Sequence, residues 1–301
     1  MKEKKYRYSV SQLLNFIPGS YFERTSRPVY AIVFLLPFIV FYELGTLFIN
    51  TDLLRRYWQG RVVAFSWLQD FLAYLGLGSK FGWIATPLAV VVILIALQIV
   101  SRKEWRFWFG DVLPMAVECI LLAIPLIVLG MLLSNASPRH SSVEHTMGMQ
   151  ADAALSCSSV TNSELPKEGE SSGKNEKWLG ILANVVTGIG AGIYEEFVFR
   201  LILIVVLMVL LQDVLQTGHK SSIILSIFIS AALFGAYHHI VYLEGQFVQS
   251  SPFNLAEFSF RTIAGIYFAV LFAIRGFGIT AGVHAFYDII AVLMNAFFSQ
   301  S

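Results

Sequence analysis

Three short clusters of ionisable residues interrupt apolar stretches in the second half of the sequence. The clusters are Glu195-Glu196-Phe197-Val198-Phe199-Arg200, Phe234-Gly235-Ala236-Tyr237-His238-His239 and His284-Ala285-Phe286-Tyr287-Asp288. An ionisable side chain inside an apolar span costs at least ~2.5–3.5 kcal/mol, so each cluster needs an explanation. Carboxylates and imidazoles together supply a general base for a water molecule and donors for an oxyanion. These residue types therefore favour hydrolytic chemistry.

Helical spacing sorts the carboxylates of these clusters into different roles. Glu196 and Arg200 are four residues apart, so on a helix they share a face and can form a charge-assisted pair. Glu195 points about 100° away from Glu196 and is left for other chemistry. His284 and Asp288 are also four residues apart and share a face.

The alternative is that these residues only hold helices together, because buried polar pairs fix helix packing in membranes. A single histidine or glutamate would favour that interpretation. Three clusters on three successive predicted helices favour catalysis, with His238 as the imidazole of the second cluster and His239 on a neighbouring face. Gly188 and Gly192, just before the first cluster, form a small-xxx-small pattern that predicts close approach of another helix.

The composition places these clusters in a membrane protein. Of 301 residues, 56% are hydrophobic and only 14% are charged, against about 25% charged in an average soluble domain. The mean hydropathy is +0.66. The net charge of +1 gives no reason to expect a nucleic-acid partner. We predict an all-α, polytopic bundle embedded in a lipid bilayer, in the plasma membrane if the source is a bacterium.

The apolar stretches predict about seven spanning helices. They cover residues 30–50, 82–100, 112–133, 178–212, 222–241, 258–274 and 277–298. Residues 63–77 are short for a span, with Asp70 in the middle, and are predicted either to lie in the interface or to form an eighth.

Charge patterning divides the chain into four parts. They are a basic N-terminus over 1–29, N-terminal transmembrane helices over 30–133, a polar disordered loop over 134–177 and a catalytic core over 178–298. Residues 1–29 carry no cleavable signal pattern. Basic residues in 1–29 and at Arg102, Lys103 and Arg106 place both segments in the cytoplasm, with 134–177 on the opposite side.

The ordered series E-E-x-x-x-R, F-x-x-x-H and H-x-x-x-N/D on consecutive predicted spans resembles the CPBP family. These are the CAAX-prenyl-protease-like and bacteriocin-processing intramembrane proteases, also called Abi proteins. The resemblance covers about residues 178–298, some 40% of the chain. It implies an intramembrane endopeptidase that cleaves a membrane-associated peptide or protein. It also implies roles for six residues: Glu195 and His238 polarise the attacking water, His284 and Asp288 stabilise the oxyanion, and Glu196 with Arg200 organises the site.

The sequence departs from the family pattern in two places. Leu201 follows the motif arginine where many members carry glycine. Asp288 replaces the commoner asparagine, and an ionised aspartate only accepts hydrogen bonds. Asp288 must therefore be protonated to act as a donor, or it must orient His284 instead.

No cofactor is predicted to be required. Zinc stays possible because histidine and carboxylate ligands suit it, but the sequence contains no HExxH motif. Cys119 and Cys157 form neither a CxxC pair nor a disulfide framework. Among the other ionisable residues within or near the spans, we expect Glu43 and Glu118 to be paired, and Arg261 and Arg275 to extend towards the membrane surface.

Three other functions stay open on sequence grounds. The first is a non-catalytic family member that serves as a membrane immunity or scaffold protein. The second is a proton-coupled transporter, which buried acids and histidines also suit, although the sequence shows no internal repeat. The third is an aspartyl intramembrane protease, since Tyr287-Asp288 resembles half of such a site, but the partner motif GxGD is missing.

Overall fold

A computed structural model describes residue 17 and residues 19–49, 62–77, 82–136, 170–243, 246–249 and 253–298. The helices are α1 (Tyr21–Thr25), α2 (Pro28–Ile49), α3 (Val63–Leu72), α4 (Gly82–Ser101), α5 (Val112–Ala136), α6 (Glu170–Glu196), α7 (Ile204–Val209), α8 (His219–Tyr237), α9 (Leu255–Arg275) and α10 (Phe277–Phe298). A π-helical segment at Phe197–Leu203 joins α6 to α7, and a second one at Leu210–Val214 extends α7, so that together they form one long rod.

The all-α polytopic prediction is confirmed. Among the described residues, seven helical stretches are long and apolar enough to cross a membrane. They are Pro28–Phe48, Ile84–Ser101, Phe109–Leu133, Trp178–Val214, His219–Tyr237, Leu255–Arg275 and Phe277–Phe297.

The segment 63–77 is not among these seven. Its regular helix α3 has only 10 residues, which at 1.5 Å per residue reach about 15 Å, half of the hydrocarbon thickness. Phe65 and Leu68 are buried against the bundle, whereas Phe71 and Tyr74 are exposed. A half-buried short helix of this kind matches the interfacial alternative.

The structure modifies two predicted boundaries. The predicted loop 134–177 is helical at both edges, since α5 runs to Ala136 and α6 begins at Glu170, while residues 137–169 lie outside the described part. The span predicted over 222–241 ends earlier, because α8 stops at Tyr237. Two strands follow, β1 (Ile240–Leu243) and β2 (Gln246–Gln249), and they pair antiparallel. Apolar β-branched residues such as Ile240 and Val241 suit a strand as well as a span, so hydropathy alone misplaced this end.

Contacts between helices fix their relative directions. A Cβ atom on Gly45, near the end of α2, would contact Val186, and one on Gly190 would contact Tyr42. Residue numbers rise along α6 while they fall along α2, so the two helices are antiparallel. The same comparison makes α10 parallel to α2, since Gly278 meets Ala31 and Gly282 meets Phe34.

The bundle therefore has two distinguishable ends. We call the end where α2 begins the Arg24 end; there the Arg24 guanidinium donates two 3.0 Å hydrogen bonds to Asp111, and Arg27 lies 3.6 Å from Glu104. These contacts bring the two segments with predicted cytoplasmic charge to the same end. We call the opposite end, where α8 finishes, the His238 end.

Glycines allow α6 and α10 to pack at backbone distance. A Cβ on Gly188 would lie 2.6 Å from Asp288 Cβ, and one on Gly192 would collide with the backbone nitrogen of Ala285. The small-xxx-small prediction is thus correct, and its partner is the helix that carries the third cluster.

The two acids of the first half are paired as expected, but the two arginines do not extend to the surface. Arg275 is buried and donates to both carboxylate oxygens of Glu118, at 2.6 and 2.8 Å. It also donates to the Phe22 carbonyl and the Thr25 hydroxyl. An arginine with acceptors inside the protein gains charge-assisted hydrogen bonds there and has no need to reach the headgroups.

Candidate active site

The first cluster lies where the long rod changes from α-helix to π-helix. Glu195 and Glu196 are the last two residues of α6, and the π-helical segment starts at Phe197. Such segments place an extra residue in the helical turn and recur at functional sites. The Ser230 hydroxyl of α8 donates to the Phe199 carbonyl at 2.8 Å, so a backbone acceptor of this segment is satisfied within the protein.

Glu196 is held by a cation on its own helix and by an imidazole on another. Its Oε1 atom lies 3.0 Å from Arg200 Nη1 and accepts a 2.7 Å hydrogen bond from His284 Nδ1. All three side chains are fully buried. The predicted i,i+4 pair therefore forms, and it also fixes the imidazole of the third cluster.

Aromatic rings and a carbonyl surround the Arg200 guanidinium. Its Cζ atom lies 4.2 Å from the ring centre of Phe234 and 5.4 Å from that of Phe268, and Nη2 donates to the Gly265 carbonyl at 3.3 Å. Cation–π contacts help to stabilise a cation that has left water. The phenylalanine of the second motif thus contacts the arginine of the first.

His238 presents one particular nitrogen to the site. Its Nδ1 atom lies 2.9 Å from the Phe234 carbonyl, four residues earlier. Because a carbonyl only accepts, Nδ1 must carry the hydrogen, and in the neutral imidazole Nε2 then holds the lone pair. That Nε2 atom faces Glu195.

Glu195 lies between the two imidazoles without direct contact with either. Its Oε2 atom is 4.0 Å from His238 Nε2 and also 4.0 Å from His284 Nε2. These separations are too long for hydrogen bonds. Glu195, the carboxylate that helical spacing separates from the Glu196–Arg200 pair, therefore lies at the centre of the cluster.

Asp288, four residues after His284 on α10, is the last member of the catalytic group. Its Oδ2 atom lies 3.6 Å from His284 Nε2. The structure thus brings together all six residues named from the sequence: Glu195, Glu196, Arg200, His238, His284 and Asp288.

Two neighbours of the site were not predicted: the sequence did not single out Phe268, and Arg261 was expected at the membrane surface. Phe268 of α9 stacks on the His284 ring at 4.6 Å between centres, with the planes 17° apart. Arg261 is buried seven residues earlier on the same helix and interacts electrostatically with Glu195 and His238. The single hint of either in the sequence is an arginine in an apolar stretch.

The first half of the chain also reaches the site. The Tyr194 hydroxyl donates to Glu43 Oε1 at 3.1 Å, and Tyr194 directly precedes the catalytic candidate Glu195. Trp67 of α3 packs edge-on against Tyr237, which in turn packs against the His238 ring, each at 5.0 Å between centres. The short helix α3 is therefore part of the wall around the second motif.

Among the residues that the structure describes, no three histidine, cysteine, aspartate or glutamate side chains lie close enough together to hold a metal ion. The Nδ1 atoms of His284 and His238 contact Glu196 and the Phe234 carbonyl, so the Nε2 atoms are the ones that face Glu195.

Comparison with known proteins gives one match. No curated protein and no solved structure matches the chain. Residues 177–290, which include all three clusters, match the family model described as type II CAAX prenyl endopeptidase Rce1-like. Over these residues the match confirms the CPBP resemblance predicted from the motifs, and it supports an intramembrane endopeptidase of the CAAX-protease kind.

Proposed function

We propose that the chain hydrolyses a peptide bond within the bilayer, using a water molecule activated by Glu195 and His238. The observation that carries this proposal is the pair of 4.0 Å separations between Glu195 Oε2 and the two imidazole Nε2 atoms. One water oxygen can lie within hydrogen-bond distance of two acceptors spaced in this way. The water would then donate one hydrogen to Glu195 and the other to the lone pair of His238.

The reaction follows from those contacts. As the water oxygen attacks the peptide carbonyl carbon, its proton passes to Glu195, and the carbonyl oxygen becomes an oxyanion. His284 Nε2, when protonated, and Asp288, when protonated, are the donors positioned to stabilise that charge. Glu195 then returns the proton to the leaving amine, so the carboxylate is regenerated.

The neighbouring glutamate is unsuited to the role of base. Glu196 Oε1 is occupied by Arg200 and His284, so this oxygen is not available to a water. We assign it to positioning, because it orients the His284 ring so that Nε2 faces Glu195.

We further propose that the substrate is a membrane-associated peptide or protein. The site lies inside a bundle whose outer surface is apolar, with large exposed side chains such as Leu36, Phe41, Val92 and Leu113. A segment that is already in or at the bilayer reaches such a site more readily than a soluble protein does.

The test compares membrane proteomes of cells that express the wild type, Glu195→Gln or Glu43→Gln. Glutamine preserves the shape of Glu195 but cannot take up a proton. The new N-terminal peptides that cleavage creates should therefore disappear in that strain. Glu43→Gln is the matched control: it lies at a neighbouring position, and its amide oxygen can still accept from Tyr194. Cleavage should persist there.

Equal cleavage in the wild type and in Glu195→Gln would reject the mechanism. Loss of cleavage in both variants would show that acids near the site affect cleavage by supporting the protein structure. It would also remove the evidence for Glu195 as the base. Purified Glu195→Gln should elute as the wild type does in size-exclusion chromatography.

A further inference from the structure

We propose that water and the substrate segment reach Glu195 from the His238 end of the bundle, and that the site is closed towards the Arg24 end. That the entering segment is a substrate rests on the proposed function. The route itself is argued from the packing of the helices and side chains. Four observations carry the route.

First, large side chains form a layer on one side of the catalytic group. Arg200 follows Glu195 and Glu196 on a rod that runs towards the Arg24 end. The α8 helix runs antiparallel to this rod, because Ser230 contacts Phe199 while His238 lies next to Glu195, and Phe234 precedes His238 on α8. Both residues therefore lie on the Arg24 side of the catalytic atoms, about 6 Å away for a shift of four residues. We call Arg200 and Phe234, with the adjoining Phe197 and Phe268, the closed layer.

Second, the closed layer has no accessible surface. Each of its four side chains is 0% exposed. The contacts between them are direct: Arg200 lies over the rings of Phe234 and Phe268, and Phe197 packs against Phe277. Water has no path through a region packed in this way.

Third, the residual exposure belongs to residues of the catalytic group and not to the closed layer. Glu195 is 6% exposed, His238 4% and Asp288 3%, whereas Glu196 and His284 are 0% exposed. Tyr237 and Tyr287, the chain neighbours of His238 and Asp288, are each 7% exposed. The accessible surface nearest to the catalytic atoms therefore lies on residues outside the closed layer.

Fourth, the helical wall is interrupted at the His238 end. The α8 helix finishes at Tyr237, so the residue with the catalytic imidazole already lies at its cap, and the chain continues into the paired strands β1 and β2. Non-helical backbone at membrane depth is tolerated where it is buried in protein or lines a water-filled cavity. The short helix α3 borders this opening through the contact between Trp67 and Tyr237.

This route restricts the substrate class. The scissile bond must belong to a segment that enters from the face of the membrane at the His238 end, the face at which α2 and α5 finish. A protein whose cleavable segment lies wholly at the Arg24 face would have to cross the closed layer, so it is not a substrate.

The experiment measures thiol accessibility and needs no substrate. In a chain with Cys119→Ala and Cys157→Ser, single cysteines are introduced as Glu195→Cys and Asp288→Cys. Asp70→Cys on α3 marks the His238 end, and Arg106→Cys marks the Arg24 end; both positions are exposed. The membrane-impermeant reagent 2-sulfonatoethyl methanethiosulfonate is applied to right-side-out and to inverted vesicles, and unreacted thiols are counted with a permeant maleimide.

Cysteines at 195 and 288 should react from the side that labels Asp70→Cys, at least about tenfold faster than from the side that labels Arg106→Cys. Faster reaction from the Arg106→Cys side, or no reaction from either side, would overturn the route. The two reporters lie on different helices, so misfolding of one variant leaves the other informative. Because the readout is independent of catalysis, a negative result here leaves the test of Glu195→Gln unaffected.

Discussion

Asp288 is the residue at which the possible mechanisms differ most. If it acts beside His284 as an oxyanion donor or orienter, Asp288→Asn should keep at least partial activity, because an amide always carries N–H donors. Asp288→Ala should lose roughly 10²–10³-fold in kcat, the usual cost of one oxyanion donor. Both variants are measured in one detergent preparation on a substrate identified by the proteomic comparison.

Complete loss in both variants would contradict this assignment. An aspartyl-protease mechanism and proton transport through Asp288 both require a carboxyl group that accepts and returns a proton, and each therefore demands inactive Asp288→Asn. The asparagine variant thus distinguishes a donor from a proton carrier.

The ion pair of Glu196 and Arg200 is expected to matter for stability as well as for geometry. Arg200→Met keeps much of the side-chain volume but leaves Glu196 without its cation, and breaking one partner of a buried pair costs about 3–5 kcal/mol. Thermal unfolding in detergent should show a clear fall in Tm. Arg106→Met, at an exposed position, is the control and should leave Tm unchanged; equal Tm values for all three proteins would reject the assignment.

At the residue scale, spacing predicts contacts within one helix and leaves contacts between helices open. The pairs Glu196–Arg200 and His284–Asp288 follow from a four-residue separation. The hydrogen bond from His284 to Glu196 joins residues 88 positions apart, and no periodicity indicates it. For the same reason Phe268 was not singled out and Arg261 was wrongly expected at the membrane surface, since one aromatic or one arginine on a predicted span has no distinguishing pattern.

At the element scale, the approach of α6 to α10 depends on one glycine face. Gly192→Ala should separate these helices, because the added Cβ meets the backbone of Ala285 rather than a flexible side chain. Overpacking of this kind costs about 1–3 kcal/mol. We expect a Tm lower by at least about 3 °C, together with loss of activity through displacement of His284.

Gly180 on the same helix provides the matched control. A Cβ at Gly180 would meet no atom within 4 Å, so Gly180→Ala should be neutral or slightly stabilising, as alanine is the better helix former. Identical behaviour of the two alanine variants in thermal unfolding would show that the close approach contributes nothing.

Element boundaries were less predictable than element existence. Hydropathy located seven spans because each must satisfy its backbone groups as a helix in lipid. It could not place the end of α8 at Tyr237, since the following Ile240 and Val241 are equally apolar. The π-helical turn at Phe197–Leu203 has no compositional mark either, because an extra residue in a turn is stabilised by tertiary contacts such as the one from Ser230.

At the scale of the whole molecule, charge predicts orientation. The Arg24 end carries Arg24 and Arg27 together with Arg102, Lys103 and Arg106, and should face the cytoplasm. Protease added outside intact cells should then cut within 134–177. If the protease cuts that segment only in inverted vesicles, the orientation is the opposite of the predicted one. The accessibility experiment would then assign the entry route to the cytoplasmic face.

The closed layer has an electrical consequence as well as a steric one. A site hydrated from one side shortens the insulating path across the bilayer, so the membrane potential falls mainly across the packed residues between the catalytic group and the Arg24 end. The free energy of a unit charge changes by about 2.3 kcal/mol when it crosses a 100 mV potential. If the closed layer let ions through, each copy of the protein would dissipate the membrane potential. Phe234→Ala should therefore raise the proton permeability of liposomes that contain the protein, whereas Phe71→Ala, an exposed ring on α3, should not. A protease that admits water into the bilayer must therefore also prevent ions from crossing it.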